Sequence, residues 1–280
     1  MKKNILQAVS GGYDSTYLLI KNLQGGNFVV PLYIHAGCVD PVKQLIESTV
    51  IKEIIQKLKL KFDNLHELLE IEMDLDNIVG INSIQPILWM LGLFKEVKNN
   101  KKYFDYNEVH IGYIMQDSSL SYLKEIKSYW KALFSFSFQD CSIPKLAFPL
   151  TKYYKEMIVN KLAAYDSEIL SSCWTCEKPV IIRKKKITDN KIEAYIDTCD
   201  NCDPCKRINN TKGLFMDSKR NYKATINLND FYDAIKTKLK ADLKSDNITR
   251  FPARFISLKE IDNQSFRNNI NKLIKGKTNY

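Results

Sequence analysis

Ser10-Gly11-Gly12-Tyr13-Asp14-Ser15-Thr16 stands between the apolar run Asn4-Ile5-Leu6-Gln7-Ala8-Val9 and the apolar residues Tyr17-Leu18-Leu19-Ile20. A strand that ends in two glycines can turn sharply, because glycine has no Cβ to forbid positive φ. The helix that follows is expected to open at Asp14 or Ser15, both good N-cap types. Unpaired backbone N–H groups at such a helix start attract anions, phosphate among them. The loop lacks the lysine of a Walker-type phosphate loop, and it is not a GxGxxG turn. On these residues alone it is either an ordinary glycine-rich turn from strand to helix or an anion cradle.

Outward from the loop, strands and helices alternate. Residues 4–9 read as a strand, and 16–24 as a helix closed by Gly25-Gly26. A β-rich run follows at 28–34, then a helix at 42–60 carried by Leu45, Ile46, Val50, Ile54, Ile55 and Leu58 at helical spacing. A strand is expected at 68–73, a helix at 83–97 with Pro86 in its first turn, a strand at 108–114 and a helix at 120–134. A short strand at 146–148 and a helix at 152–164 complete the pattern. This spacing is that of crossover units and predicts an α/β fold, a parallel sheet with helices on both faces. Ligands in such sheets bind at the carboxyl ends of the strands. Here those ends are the SGGYDS loop, His35-Ala36-Gly37 and the 112–119 segment.

The chain has 280 residues, enough for one large domain or a domain with an appendage. Its 84–94 stretch is too short to span a membrane and carries Pro86, and the apolar segment after Met1-Lys2-Lys3 reads as a first core strand, not a signal peptide. A cytoplasmic protein without membrane partners is expected. The net charge of +10 suits phosphorylated ligands or nucleic acid without singling out either.

Five of the seven cysteines fall within 173–205. Ser172-Cys173-Trp174-Thr175-Cys176 is followed by a basic insertion and then by Cys199-Asp200-Asn201-Cys202-Asp203-Pro204-Cys205. In a reducing compartment such clustering points to a metal before disulfides. Cys199, Cys202 and Cys205 at x2 spacing bring three thiolates together, and one more from upstream completes a tetrahedral set. Zinc suits four sulfurs, and an iron–sulfur cluster is the rival. The 180–196 insertion reads as a hairpin turning near 188–191, with Arg183-Lys184-Lys185-Lys186 either a solvated face or a phosphate-binding finger. Cys38 and Cys141 read as small buried hydrophobes.

The Ser10-Gly11-Gly12-Tyr13-Asp14-Ser15 stretch resembles the SGGxDS signature of the PP-loop ATP pyrophosphatase superfamily. The resemblance implies a Rossmann-like (HUP-type) fold and cleavage of ATP between its α- and β-phosphates, with AMP passed to a substrate oxygen. It implies that Ser10, Gly11, Gly12, Ser15 and Thr16 cradle phosphate and that Asp14 helps hold Mg²⁺, a hard cation that takes oxygen ligands. Together with the cysteine cluster and Arg207, the motif is similar to the 7-cyano-7-deazaguanine synthase (QueC) family over residues 1–208. By that resemblance the zinc ligands are Cys173, Cys199, Cys202 and Cys205, with Cys176 the spare. Lys155, after Pro149-Leu150, approaches the nucleotide or the substrate, and Asp117 follows a strand end. Asp14, Lys155 and Asp117 are thus the expected catalytic residues. The family reaction is an ATP-dependent ligation in queuosine biosynthesis, by way of an acyl-adenylate. It converts 7-carboxy-7-deazaguanine with ammonia into the amide and then the nitrile.

Three segments depart from the family pattern. Tyr33-Ile34-His35-Ala36-Gly37-Cys38 stands where an aromatic-Gly-Gln-Arg-His stretch is usual, Asn82-Ser83-Ile84-Gln85 where an Arg-Asn pair is usual, and Gln116-Asp117-Ser118 where Asp-Cys-Arg is usual. In the family these segments surround the deazapurine, so a second acceptor is also weighed: an amine on a protein or nucleic acid, as in relatives in antiviral defence and phage DNA modification. His35 is read either as a substrate-orienting group or as a structural residue at a strand end. The expected divisions are a nucleotide-binding domain at 1–165, a zinc segment at 166–208, and a basic, helical C-terminal extension at 209–280 with candidate helices at 231–243 and 265–274. That extension is read as a packing or dimer appendage or, with the basic hairpin, as an arm that binds a protein or nucleic-acid partner.

Overall fold

β1 (Asn4–Ala8) is buried at every position after Asn4, including Gln7. That is the pattern of a strand covered on both faces, where no alternation survives. β2 (Phe28–Ala36) is nearly as buried, whereas β3 (Leu69–Met73) alternates Leu, Glu, Ile, Glu and Met, with both glutamates outward. With β4 (Glu108–His110) and β5 (Lys145–Ala147) these strands form one sheet in the order β3-β2-β1-β4-β5, every pair parallel. The glutamates of β3 mark it as a sheet edge, where charge discourages further strand pairing. The structure is a computed structural model, and it describes residues 2–36, 40–73, 85–100, 105–137, 143–188, 190–210 and 222–227.

The connections are helical. α1 (Tyr13–Gln24), α2 (Pro41–Lys59), α5 (Lys155–Tyr165) and α6 (Ser167–Ser172) pack in a chain, α1 on α5, α5 on α6 and α6 on α2. α3 (Gln85–Asn100) and α4 (Leu123–Ser137) pack on each other and fill the other face. Met90, Leu93, Val97, Ile126, Trp130 and Phe134 of these two helices join Leu6, Val30, Val109 and Leu146 of the sheet in one core. This is the expected Rossmann-like α/β sheet covered on both faces.

Two local expectations are corrected. α1 opens at Tyr13 with Gly12 as its N-cap, not at Asp14 or Ser15, because the Ser15 hydroxyl donates back to Gly12 O and the Gly12 carbonyl takes the first helical bond, from Thr16 N–H. β4 ends at His110 rather than continuing to residue 114. Ile111, Tyr113 and Ile114 are buried all the same, in a turn where Ile114 N–H donates to Asp117 Oδ2 at 2.8 Å. Their apolar run reports burial, not strand.

A second sheet is antiparallel. β6 (Val180–Thr188) and β7 (Lys191–Asp197) form the expected hairpin, and β8 (Tyr222–Asn227), from the segment read as extension, pairs with β7. The Tyr222 hydroxyl donates to Glu53 on α2 at 2.7 Å and ties this sheet to the helical layer. α7 (Asp203–Asn210) follows Cys202. Among the described residues no helix is long and apolar enough to cross a membrane. Cys38, Cys141, Ser83 and the candidate helices at 231–243 and 265–274 lie outside the described residues.

Candidate functional site

The Ser10–Ser15 loop leaves the carboxyl end of β1, the central strand. Gly11 takes φ 72°, a conformation that favours glycine, and its carbonyl accepts Trp174 N–H at 2.9 Å. A Cβ there would stand 2.9 Å from Val50 Cγ1 and 3.4 Å from Glu47 O, so the loop lies directly on α2. Gly112, after β4, lies against the loop from the other side, where a Cβ would be in van der Waals contact with Ser15 N at 3.4 Å. Within the loop, Ser10 N–H donates to Ser15 Oγ at 3.2 Å. Below it Gln7, fully buried, donates to Ser15 O at 2.8 Å and accepts from Asn22 at 2.9 Å. The polar groups under the loop are therefore spent on holding its shape.

Asp14 and Lys155 meet across the loop. Lys155 Nζ donates to Asp14 Oδ2 at 2.5 Å, and the lysine side chain is buried. α5 presents it because Lys155 is that helix's first residue, its backbone N–H held by Gln116 Oε1 at 3.0 Å. The other Asp14 oxygen, Oδ1, is buried without a hydrogen-bond partner, as is Thr16 Oγ1. An unpartnered carboxylate oxygen beside a phosphate-type loop fits a hard cation such as Mg²⁺.

Ser10, Gly12, Asp14, Ser15, Asp117 and Lys155 line one cavity of about 290 Å³. Among the expected phosphate-binding residues Gly11 and Thr16 are not in its wall: Gly11 faces α2 and Trp174, and Thr16 is fully buried. The same cavity is lined by groups that the sequence did not single out. Tyr33 on β2 donates to Glu47 Oε2 at 3.2 Å. Lys43, one turn before Glu47 on α2, lies 3.7 Å from Glu47 and 2.5 Å from Glu177. Burial pushes the Glu47 carboxyl up to about 7, against the pull of Lys43 and the Tyr33 hydroxyl. Burial opposes the Lys43 charge, yet Glu47, Glu177 and Asp40 hold it above the usual lysine range. His35 is not part of the wall. Its ring pairs with Glu70 of β3 at 2.8 Å and meets Tyr33 edge-on, which is the structural alternative.

No protein-family model and no curated protein matches the sequence. Several solved structures are similar at low identity, three of them as follows. The U34-tRNA thiolase NcsA from Methanococcus maripaludis with its 4Fe-4S cluster is 13% identical over 62% of this chain and 59% of that one, with a TM-score of 0.38. NMN synthetase from Francisella tularensis is 14% identical over 60% of this chain and 65% of that one, at 0.35. A predicted subunit of tRNA methyltransferase from Methanocaldococcus jannaschii is 13% identical over 78% and 96%, at 0.37. The chain thus spans less than two thirds of the first two.

The cysteine cluster adjoins the cleft. Cys176, Cys199, Cys202 and Cys205 place their sulfurs within 4.8 Å of one another, a set that can hold a metal ion. The fourth member is Cys176, not the Cys173 that the family pattern implied. Cys173 caps the end of α6, and its thiol turns back to Ile169 O at 3.4 Å, whereas the three residues after it carry the chain round to Cys199. Tetrahedral metal–sulfur bonds of ~2.3 Å set the sulfurs about 3.8 Å apart, close to the 4.0 Å between Cys176 and Cys202. The four sulfurs thus lie within the reach of a single ion. Backbone N–H groups of Lys178 and Cys199 point at Cys176 Sγ, and that of Glu177 at Cys202 Sγ, as suits thiolate ligands. Trp174, Thr175, Glu177 and Pro204, all beside these cysteines, are cleft wall. The cysteine cluster therefore adjoins and shapes one side of the cleft.

Proposed function

We propose that the chain is an ATP-dependent adenylating enzyme that activates a carboxylate and joins it to an amine. The observation that carries this reading is the pairing of the buried Lys155 with Asp14 of the SGGYDS loop, with Asp14 Oδ1 unpartnered. In this reading the triphosphate lies along Ser10, Gly12 and Ser15, and Lys155 meets the charge that develops as the α–β bond breaks. Such a displacement depends mainly on positioning and charge stabilisation. Asp14 would hold Mg²⁺, which when bound neutralises phosphate charge. The substrate carboxylate attacks the α-phosphorus, pyrophosphate leaves, and an amine displaces AMP from the acyl-adenylate.

The substrate favoured by the motif resemblance is 7-carboxy-7-deazaguanine with ammonia, giving the amide and then 7-cyano-7-deazaguanine. Incubation with ATP, Mg²⁺, ammonium and that acid, followed by mass spectrometry, tests it: AMP with amide or nitrile is expected, and AMP without either would move the acceptor elsewhere. A macromolecular amine is the second reading, favoured by the exposed Lys185, Lys186 and Lys191 on a hairpin whose base is the metal site beside the cleft. An adduct on a partner, seen by intact mass, is its test. The four-cysteine site is proposed to hold Zn²⁺ in a structural role, since four thiolates leave no open position.

A further inference from the structure

The proposed reaction leaves one corner of the cleft without a role, that of Tyr33, Lys43, Glu47 and Glu177. Two carboxylates share one ammonium group there, with Lys43 2.5 Å from Glu177 and 3.7 Å from Glu47. Elsewhere in the wall the charges are already engaged: Asp14 with Lys155, and Asp117 with the Ile114 amide. Once Glu47 ionises, above about pH 7, the corner carries one more negative charge than positive, in a cleft that must also admit a polyphosphate. Like charge keeps the nucleotide away from it and draws a cation in. The corner also adjoins the phosphate loop, because Gly11 is pressed against α2 at Glu47 and Val50.

We infer that this corner is the amine subsite, where Glu47 receives the protonated acceptor amine and takes its first proton. The inference rests on the adenylating reading above and narrows its nucleophile to ammonium or a primary ammonium group. An ammonium ion has no lone pair and cannot attack. Transfer of one proton to the Glu47 carboxylate leaves a neutral amine, whose lone pair forms the C–N bond to the acyl carbon. The C–O bond to AMP breaks with its electron pair on the phosphate, which takes the second nitrogen proton as it departs. Glu47 returns its proton to solvent. Tyr33 and Lys43 fix the carboxylate in place. The groups that bear on it are Lys43 on its own helix, Tyr33 on β2 and Glu177 after α6, with Asp40 beyond Lys43 and Glu70 beyond Tyr33. A proton acceptor works best when its pKa lies near the working pH, and burial brings Glu47 there.

Two measurements test this. The first needs no turnover: thermal unfolding of the wild type and of Glu47→Gln in methylammonium chloride against tetramethylammonium chloride at equal ionic strength. The wild type is expected to be stabilised more by methylammonium, which can donate N–H, and the variant equally by both. Equal effects in the wild type overturn the amine subsite whatever the activity assays show. The second compares products from ammonium and from hydroxylamine, which is uncharged and needs no base at neutral pH. The ratio of ammonium-derived to hydroxylamine-derived product should fall about a hundredfold or more in Glu47→Gln, the range of general base catalysis. An unchanged ratio removes Glu47 as the base. Absence of AMP in the wild type would count against the adenylating reading, and the first measurement would still decide the subsite.

Discussion

The phosphate-type loop and the cysteine cluster are neighbours in space and opposites in construction. The loop is one continuous stretch of seven residues, turned by its own glycines and serines and braced from below by Gln7. The cluster gathers ligands from either side of a hairpin, and which cysteines it takes depends on where α6 stops. A continuous motif can be read from the residues that form it. A constellation closed by tertiary structure yields its residue types but not its membership. The two are joined by the hydrogen bond from Trp174 N–H to Gly11 O.

The sharpest way to break this comparison is to remove the loop's charge. Asp14→Ala and Lys155→Ala should each lower AMP production by about a hundredfold or more, as expected for loss of one preorganised charged group. Steady-state AMP assays would show it, and full turnover in either variant would remove that residue from the chemistry. The next largest effect concerns the cluster. Cys176→Ser should lose bound zinc while Cys173→Ser keeps it, as read by metal content per chain, and the reverse pattern would restore the family-like ligand set. Chelation should also lower activity, because the cleft wall at Trp174–Glu177 loses its anchor.

A smaller effect sits between the two regions. The Glu47 carboxyl is raised in the folded chain, so the folded state binds a proton that the unfolded chain has lost. Stability should accordingly fall as pH rises from about 4.5 to about 7, by on the order of 1–3 kcal/mol. Glu47→Gln should flatten that fall in denaturant titrations made across the range, and an unchanged slope would mean that Glu47 is not raised. The smallest effect lies at the base of the cluster. Asp166 caps α6 through the N–H groups of Glu168 and Ile169, at 2.8 and 3.0 Å. Asp166→Ala should cost about 1 kcal/mol, measurable by chemical denaturation, with zinc content unchanged.

Much of the fold was legible because burial on both faces writes itself into sequence: β1 and β2 are near-continuous apolar runs, and the helices between strands keep their period. The same signal misled at Ile111–Ile114, where a buried turn looks like a buried strand. β8 was missed because it lies apart from the hairpin it completes. The Asp14–Lys155 pair came from the motif resemblance, since no spacing rule links residues 14 and 155. Lys43 and Glu47 sit four apart on α2, a pattern that surface ion pairs share, and only the folded wall shows that they face a cavity.

The most direct test of the central claim follows the oxygen. The chain, given ATP, Mg²⁺ and 7-carboxy-7-deazaguanine labelled with ¹⁸O in its carboxylate, should release pyrophosphate and form AMP carrying one labelled oxygen once ammonium is added. That transfer occurs only if the carboxylate itself attacks the α-phosphorus. ADP with inorganic phosphate, or AMP whose new oxygen comes from water, would contradict the account.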